Sequence, residues 1–186
     1  KVYFKNLILT CPFPQLKNLS LKFLNKKILN LAPKMTPNIT VMVAYKNCKK
    51  IPVSSIKFND KIIAWAAHEN AKNRFISNQS LWTIQCTEKF SKKNIDIFKK
   101  NKKKYQTLIL KKFETLTGYP IKKVVFQNIH GWKYAYSKTK TKVSSVWLKK
   151  SQLGICADWF TGSKGENSWL SAMELFDTIK KSRHLL

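Results

Sequence analysis

The residue types best able to do chemistry sit in one stretch, Leu153-Gly154-Ile155-Cys156-Ala157-Asp158-Trp159-Phe160-Thr161-Gly162-Ser163-Lys164-Gly165-Glu166-Asn167-Ser168-Trp169. An apolar run ends at Asp158, Gly162 and Gly165 punctuate the loop after it, and Glu166 opens a helical pattern. An aspartate at the carboxyl end of a strand accepts hydrogen bonds from ligand hydroxyls. The free N–H groups and positive dipole end of the next helix favour an electron-rich acceptor. The stretch therefore has the form of a ligand-binding edge. The plainer alternative makes Asp158 a loop cap and Glu166 a helix N-terminal charge.

Other chemistry is sparse. Cys11, Cys48, Cys86 and Cys156 are far apart with no CxxC pair, and His68, His130 and His184 are equally scattered, so no metal-ligand spacing exists. The cysteines read as reduced, mostly buried thiols of a cytoplasmic protein. No apolar stretch has the length of a membrane span, and Lys5 interrupts the opening segment that a signal peptide would need. The chain of 186 residues is 44% apolar, with six Trp, eleven Phe and six Tyr, which excludes a disordered basic tail. Its formal charge of +27 raises nucleic acid or an anionic surface as a partner. Against nucleic acid, only Arg74 and Arg183 are arginines, and bidentate recognition of phosphate and guanine favours arginine. AT-rich coding produces a Lys-, Asn- and Ile-heavy chain without any selection for binding. Five glycines, at 118, 131, 154, 162 and 165, supply no GxGxxG.

The elements that must position the edge follow from periodicity and punctuation. Residues 2–10 read as a buried strand stopped by Cys11-Pro12-Phe13-Pro14. An amphipathic helix over 15–30 carries Leu16, Leu19, Phe23, Leu24 and Ile28 on its core stripe. Strands over 39–45, 53–58, 62–67 and 81–87, with no long helices between them, predict an antiparallel sheet. A helix over 91–117, capped by Ser91 and closed by Gly118 and Pro120, turns Ile95, Phe98, Tyr105, Leu108, Ile109 and Phe113 to the core. Its lysine block at 99–104 reads as a solvated face. A strand over 121–136, a polar linker over 137–145, the apolar triplet 146–148, a buried strand over 153–157, a loop over 158–165 and a helix over 166–181 complete the chain. Residues 151–186 hold four basic and four acidic groups, so the whole net charge lies in residues 1–150.

In its full wording, the stretch around Asp158 resembles the flavin-closing motif of FAD-dependent amine-oxidase-like oxidoreductases, in particular their renalase-like branch. His130-Gly131-Trp132-Lys133-Tyr134-Ala135 looks like that family's His-x-Trp-x-Tyr-Ala strand. Ile63-Ala64-Trp65-Ala66-Ala67, with Asn70, Lys72 and Arg74 after it, is similar to its mid-domain segment. Leu7-Ile8-Leu9-Thr10-Cys11-Pro12-Phe13-Pro14-Gln15 looks like its strand-to-proline crossover. These landmarks keep the family's order over essentially the whole chain, which corresponds to the family's C-terminal half or somewhat more.

The resemblance implies an α/β (α+β) fold: an antiparallel or mixed-sheet substrate domain with helices, plus the C-terminal remnant of a Rossmann-like FAD-binding domain whose N-terminal dinucleotide-binding half is absent. It assigns residues 1–12 to an end strand of the FAD domain, 13–145 to the substrate-type domain and 146–186 to the C-terminal strand-loop-helix of the FAD domain. Asp158, Trp159, Glu166, Asn167, Ser168 and Trp169 would bind FAD, with the helix start over 166–169 placed against the flavin pyrimidine, where the reduced ring carries charge. His130 and Trp132 would lie near the reacting ring, and Tyr134 and Trp65 at the substrate pocket. A structural hydrogen bond is the alternative for His130, and a core position for Trp132 and Tyr134. The implied partners are a small-molecule substrate and the missing N-terminal FAD-binding segment, with no metal. Because remnants of the flavin domain would normally pack against that segment, exposed apolar surface is expected on them. Ala157, Asn167, Ser168 and Ala172 depart from the family's small residues at places of close approach. Two other readings stand beside this one: a Lys-rich, non-enzymatic module that binds nucleic acid or an anionic surface, and a relative that keeps the fold without the cofactor.

Overall fold

The computed structural model describes residues 3–19, 24, 26–48, 51–74 and 77–184. In chain order the elements are β1 (Leu7–Leu9), α1 (Phe13–Leu19), α2 (Lys26–Leu29), β2 (Met35–Tyr45), β3 (Ser55–Lys57), β4 (Ile63–His68), β5 (Ser80–Cys86), α3 (Glu88–Asn94), α4 (Lys102–Thr117), β6 (Val124–Ser137), β7 (Ser145–Leu148), β8 (Leu153–Cys156) and α5 (Gly165–His184). The chain is mixed α/β with two sheets, and its contacts divide it into two units: residues 37–133, and a discontinuous unit of 1–36 with 134–186. Residues 13–36, which the family resemblance assigns to the substrate-type domain, thus pack with the discontinuous unit.

The larger sheet has the order β3-β4-β5-β2-β6, with β3, β4, β5 and β2 joined antiparallel. β5 shows why it forms: Ser80, Trp82, Ile84 and Cys86 are buried while Leu81, Thr83 and Gln85 alternate with them on the other face. The buried face meets α3 and α4 in one core that holds Val41, Val43, Trp82, Ile84, Ile109 and Phe113. The single helix expected over 91–117 is a correction. Thr87, not Ser91, is the cap, with Oγ1 accepting from the Phe90 N–H at 3.2 Å. Ser91 is fully buried, and its Oγ accepts the Ile39 N–H at 3.0 Å. The helix breaks after Asn94, whose side chain donates to the Phe90 carbonyl and accepts from the Tyr105 hydroxyl. A 3-10 turn, Phe98–Asn101, buries Phe98, and Asn101 then caps α4. Gly118 ends α4 at φ 77°, a conformation that favours glycine. Leu108, expected in the core, is 41% exposed, and Leu110 is buried instead.

Asp60 ties the start of β4 to α4. Its Oδ1 accepts the Ile62 and Ile63 N–H groups at 2.8 and 3.0 Å, and its Oδ2 meets Lys112 Nζ at 2.8 Å. Burial alone would raise this carboxyl, but the bonds from Lys112, Ile63 and Ile62 outweigh it and bring it down to about 2. A depressed carboxyl stabilises the fold above its unfolded value, and that stability is lost as pH falls through the folded value. Asp60→Asn is therefore expected to cost about 2 kcal/mol at neutral pH, with the difference from the parent shrinking between about pH 4 and pH 2. Urea melts at several pH values check this; a pH-independent difference would remove the ion pair as its cause.

In the other unit β1, β8 and β7 form a mixed sheet, β1 parallel and β7 antiparallel to β8. The strand expected over 2–10 is short: Tyr3 and Phe4 are 83% and 63% exposed, and Ile8 is exposed because β1 is an edge paired only to β8. β8 is buried throughout. One of its sides packs on Phe13, Leu16, Leu24, Ile28 and Phe160. On the α5 side, a Cβ at Gly154 would lie 2.6 Å from Ile8 Cδ1 and 2.9 Å from Leu175 Cδ2, so glycine lets the helix lie close. The helix expected over 15–30 is two short ones. It starts early because the Gln15 and Leu16 N–H groups bond the Pro12 carbonyl, and Leu19, expected in the core, is 70% exposed. Phe23 lies outside the described residues. Among the described residues no helix is long and apolar enough to cross a membrane.

Candidate functional site

Asp158 stands just past the carboxyl end of β8, at the head of a 3-10 turn, Asp158–Phe160. Its backbone carbonyl accepts the Thr161 and Gly162 N–H groups. Burial pushes its carboxyl above the ordinary range, opposed by the N–H groups of Trp159 and Asp158 and by the Ser163 hydroxyl. The Ser163 oxygen also accepts the Ser137 N–H, so one hydroxyl fixes both the aspartate and the end of β6. Asn167 closes the loop from the helix side, its Nδ2 donating to the Gly162 carbonyl at 2.6 Å. Gly162 has φ 125°, so a side chain there would be strained. The Thr161 Oγ1 is buried in this loop without a hydrogen-bond partner among the described residues.

The first turn of α5 differs from the expected set of donors. The Asn167 and Ser168 N–H groups already bond the Lys164 carbonyl, so the amides left at this helix start are those of Gly165 and Glu166. Glu166, Ser168 and Trp169 are exposed. Trp159, expected in the cofactor set, has its side chain in the core. It is 1% exposed, its Nε1 donates to the Cys11 carbonyl at 3.1 Å, and its ring stacks on Phe160 and meets the edge of Phe13. The 3-10 turn sends both Trp159 and Phe160 into the core and leaves Asp158 half-buried at its head.

The departures from the family wording are absorbed locally. Ala157 is extended (φ −169°, ψ 163°), which any residue adopts, and its N–H donates to the buried Ser171 Oγ at 2.9 Å. Ala172 is exposed. Trp169, Met173 and Phe176, spaced i, i+4 and i+7, are 62%, 42% and 59% exposed and form an apolar ridge along α5.

Trp65, His130 and Trp132 belong to the other unit, and Tyr134 to the unit that holds Asp158. On β4, Ala66 is buried in the core, which turns the half-buried Trp65 to the opposite face of the larger sheet, where Thr40, Ala44 and Ala67 are also buried. Register puts Trp65 opposite Gln85 and Lys57, and Gln85 opposite Thr40. On β6, Ile129 is buried in the core while His130 and Trp132 are exposed, with ring centroids 4.3 Å apart. Trp132 is 56% exposed, so the core alternative for it does not hold. Further along this face a hollow of about 250 Å³ is lined by Met42, Leu81, Thr83, Phe126 and Glu69. Glu69 is held low, since bonds from Lys72 and Thr83 outweigh the effect of burial. Gln85, Thr83 and Met42 escaped sequence reading; the alternation of β5 is the signal that could have found the first two.

Among the described residues no three His, Cys, Asp or Glu side chains gather as a metal site would need, and all four cysteines are unpaired. The chain matches no protein-family model and no curated protein.

Proposed function

We propose that this chain is the flavin-closing and substrate-bearing part of an FAD-dependent oxidoreductase of the renalase-like, amine-oxidase branch. Its reaction takes a hydride from a small reduced substrate, such as a dihydronicotinamide or an amine, with oxygen as the final acceptor. The observation that carries this reading is the edge itself: a carboxylate at the end of a buried strand, a loop pinned from both sides, and a long helix starting within seven residues.

The residues fit the group. A carboxylate has about four acceptor sites, so Asp158 keeps capacity for a ribityl hydroxyl beyond its bonds to Ser163 and to the Trp159 and Asp158 N–H groups, and the buried Thr161 hydroxyl supplies another polar contact. The Gly165 and Glu166 amides at the positive end of α5 suit the oxygen-bearing edge of an electron-rich ring. FAD, when bound, supplies the hydride acceptor. His130 and Trp132, exposed, and Trp65, half-buried, present flat and hydrogen-bonding surfaces for a planar substrate on the sheet face opposite the core. The five glycines contain no GxGxxG, so the pyrophosphate cradle that this reading requires is not among these 186 residues.

The test is the absorption spectrum of the protein expressed with the reading frame upstream of Lys1. Flavin bands bleached by a dihydronicotinamide or an amine without oxygen, and restored by air, are expected. Asp158→Asn should weaken FAD retention about tenfold to a hundredfold while leaving the far-ultraviolet dichroism unchanged. A protein that stays colourless with added FAD would sink the cofactor reading and return Asp158 to a loop cap.

A further inference from the structure

Between residues 89 and 112 the sequence carries ten lysines and a single carboxylate, Asp96. They lie along α3, the turn after it and α4, helices whose other side packs on the core face of the larger sheet, and Lys112 is turned to Asp60. Because Ile109, Leu110 and Phe113 face the core, the exposed Lys104, Leu108, Lys111 and Thr115, spaced i, i+4, i+7 and i+11, form the outer ridge of α4. The nearby carboxylates are already engaged: Glu88 with Lys92, Asp96 with Lys133, Asp60 with Lys112, and Glu114, on α4 itself, with the Ile121 N–H. Among the described residues none of Lys99, Lys100, Lys102, Lys103, Lys104 and Lys111 is in an ion pair.

A solvated face and a binding face differ in what stands among the charges. Here Ile97 is 49% and Leu108 41% exposed within the lysine field. The aromatic residues of this segment, Phe90, Phe98, Tyr105 and Phe113, are buried or half-buried. Exposed aliphatic residues among lysines suit the headgroup and acyl boundary of a bilayer, whereas single-stranded nucleic acid needs exposed rings for its bases. No arginine lies in the segment, which removes the bidentate phosphate fork as well.

We propose that the outer face of α3, the turn after it and α4 is a docking surface for an anionic phospholipid bilayer, with its lysines at the headgroups and Ile97 and Leu108 reaching the acyl boundary. The surface holds the protein at a membrane without spanning it, and it is independent of the flavin reading.

Flotation of the chain with phosphatidylcholine vesicles, pure or with about one-third phosphatidylserine, tests this. Binding to the anionic vesicles alone is expected, with release by salt near 0.5 M, where screening shortens to a few ångströms. Lys104→Gln with Lys111→Gln should weaken partitioning about 25-fold, about fivefold per lysine. Leu108→Ser should weaken it about fivefold, an effect that pure charge attraction does not produce. Both variants alter exposed positions, and far-ultraviolet dichroism checks that they fold. Equal partitioning onto neutral vesicles, failure to float with anionic ones, or indifference to both variants overturns the proposal. A single-stranded oligonucleotide that binds more tightly at the same salt and ignores Leu108→Ser overturns it too, and assigns the face to nucleic acid.

Discussion

Trp159→Ala is expected to cost the unit of residues 1–36 and 134–186 about 4 kcal/mol, a large share of a domain's total stability. The indole fills the space between Phe13 and Phe160 and is almost completely buried, so its removal leaves a cavity walled by rings and by Leu16 and Ile155. Trp159→Phe separates packing from hydrogen bonding. It keeps most of the ring but leaves the Cys11 carbonyl without the indole N–H, for a cost of about 1–2 kcal/mol. Urea melts followed by far-ultraviolet dichroism read both. A Trp159→Ala protein within 1 kcal/mol of the parent would mean that the indole is not a core element. Under the proposed function the two variants also differ in flavin retention: Phe holds the Asp158 loop in place, whereas Ala loosens the 3-10 turn that presents the carboxylate.

Legibility tracked the range of the forces involved. The strands of the larger sheet were readable because alternate burial writes itself into the residues, as in Ser80-Leu81-Trp82-Thr83-Ile84-Gln85-Cys86. The strand leading to Asp158 was readable for the opposite reason, a short unbroken apolar run that is buried on both sides. The helix break after Asn94 was not readable, because its cause is remote in sequence: Phe98 turns inward to pack against Gly131 on β6. Thr87 and Ser91 are equally good caps by type, and only the Ile39 N–H across the core decides which one is used as something else. Leu108 falls on the outer side of α4, because Leu110, two residues and about 200° further round, completes the buried arc with Ile109 and Phe113. At the candidate site, type marked Asp158 and Trp159 alike, and only packing tells the half-buried carboxylate from the core indole. Trp65 was visible, but its cross-strand partner Gln85, and Thr40 on the strand beyond, needed the strand register. Net charge marked the lysines without their Leu108 and Ile97 neighbours, because exposure depends on packing.

Gly131→Ala is expected to destabilise the unit of residues 37–133 by about 3 kcal/mol although the change adds one methyl group. A Cβ at 131 would lie 2.4 and 2.6 Å from Phe98 Cε1 and Cζ and 2.8 Å from Ile95 Cδ1. Real Cβ contacts do not come this close, so Phe98 must move. Phe98 is 1% exposed in a close-packed core, so moving its ring displaces the residues around it. Alanine is the better strand former of the two, but that preference is worth less than about 1 kcal/mol and does not offset the clash. Phe98→Leu provides the decisive comparison. Alone it leaves a cavity and costs about 1–2 kcal/mol; combined with Gly131→Ala it frees the space that the new methyl needs, so the double variant should be more stable than the sum of the singles predicts. Strict additivity would show that residue 131 and Phe98 do not meet. A large positive coupling would show that the turn between α3 and α4 is set by a glycine on β6, and that the same contact breaks the helix and orients the lysine-bearing face.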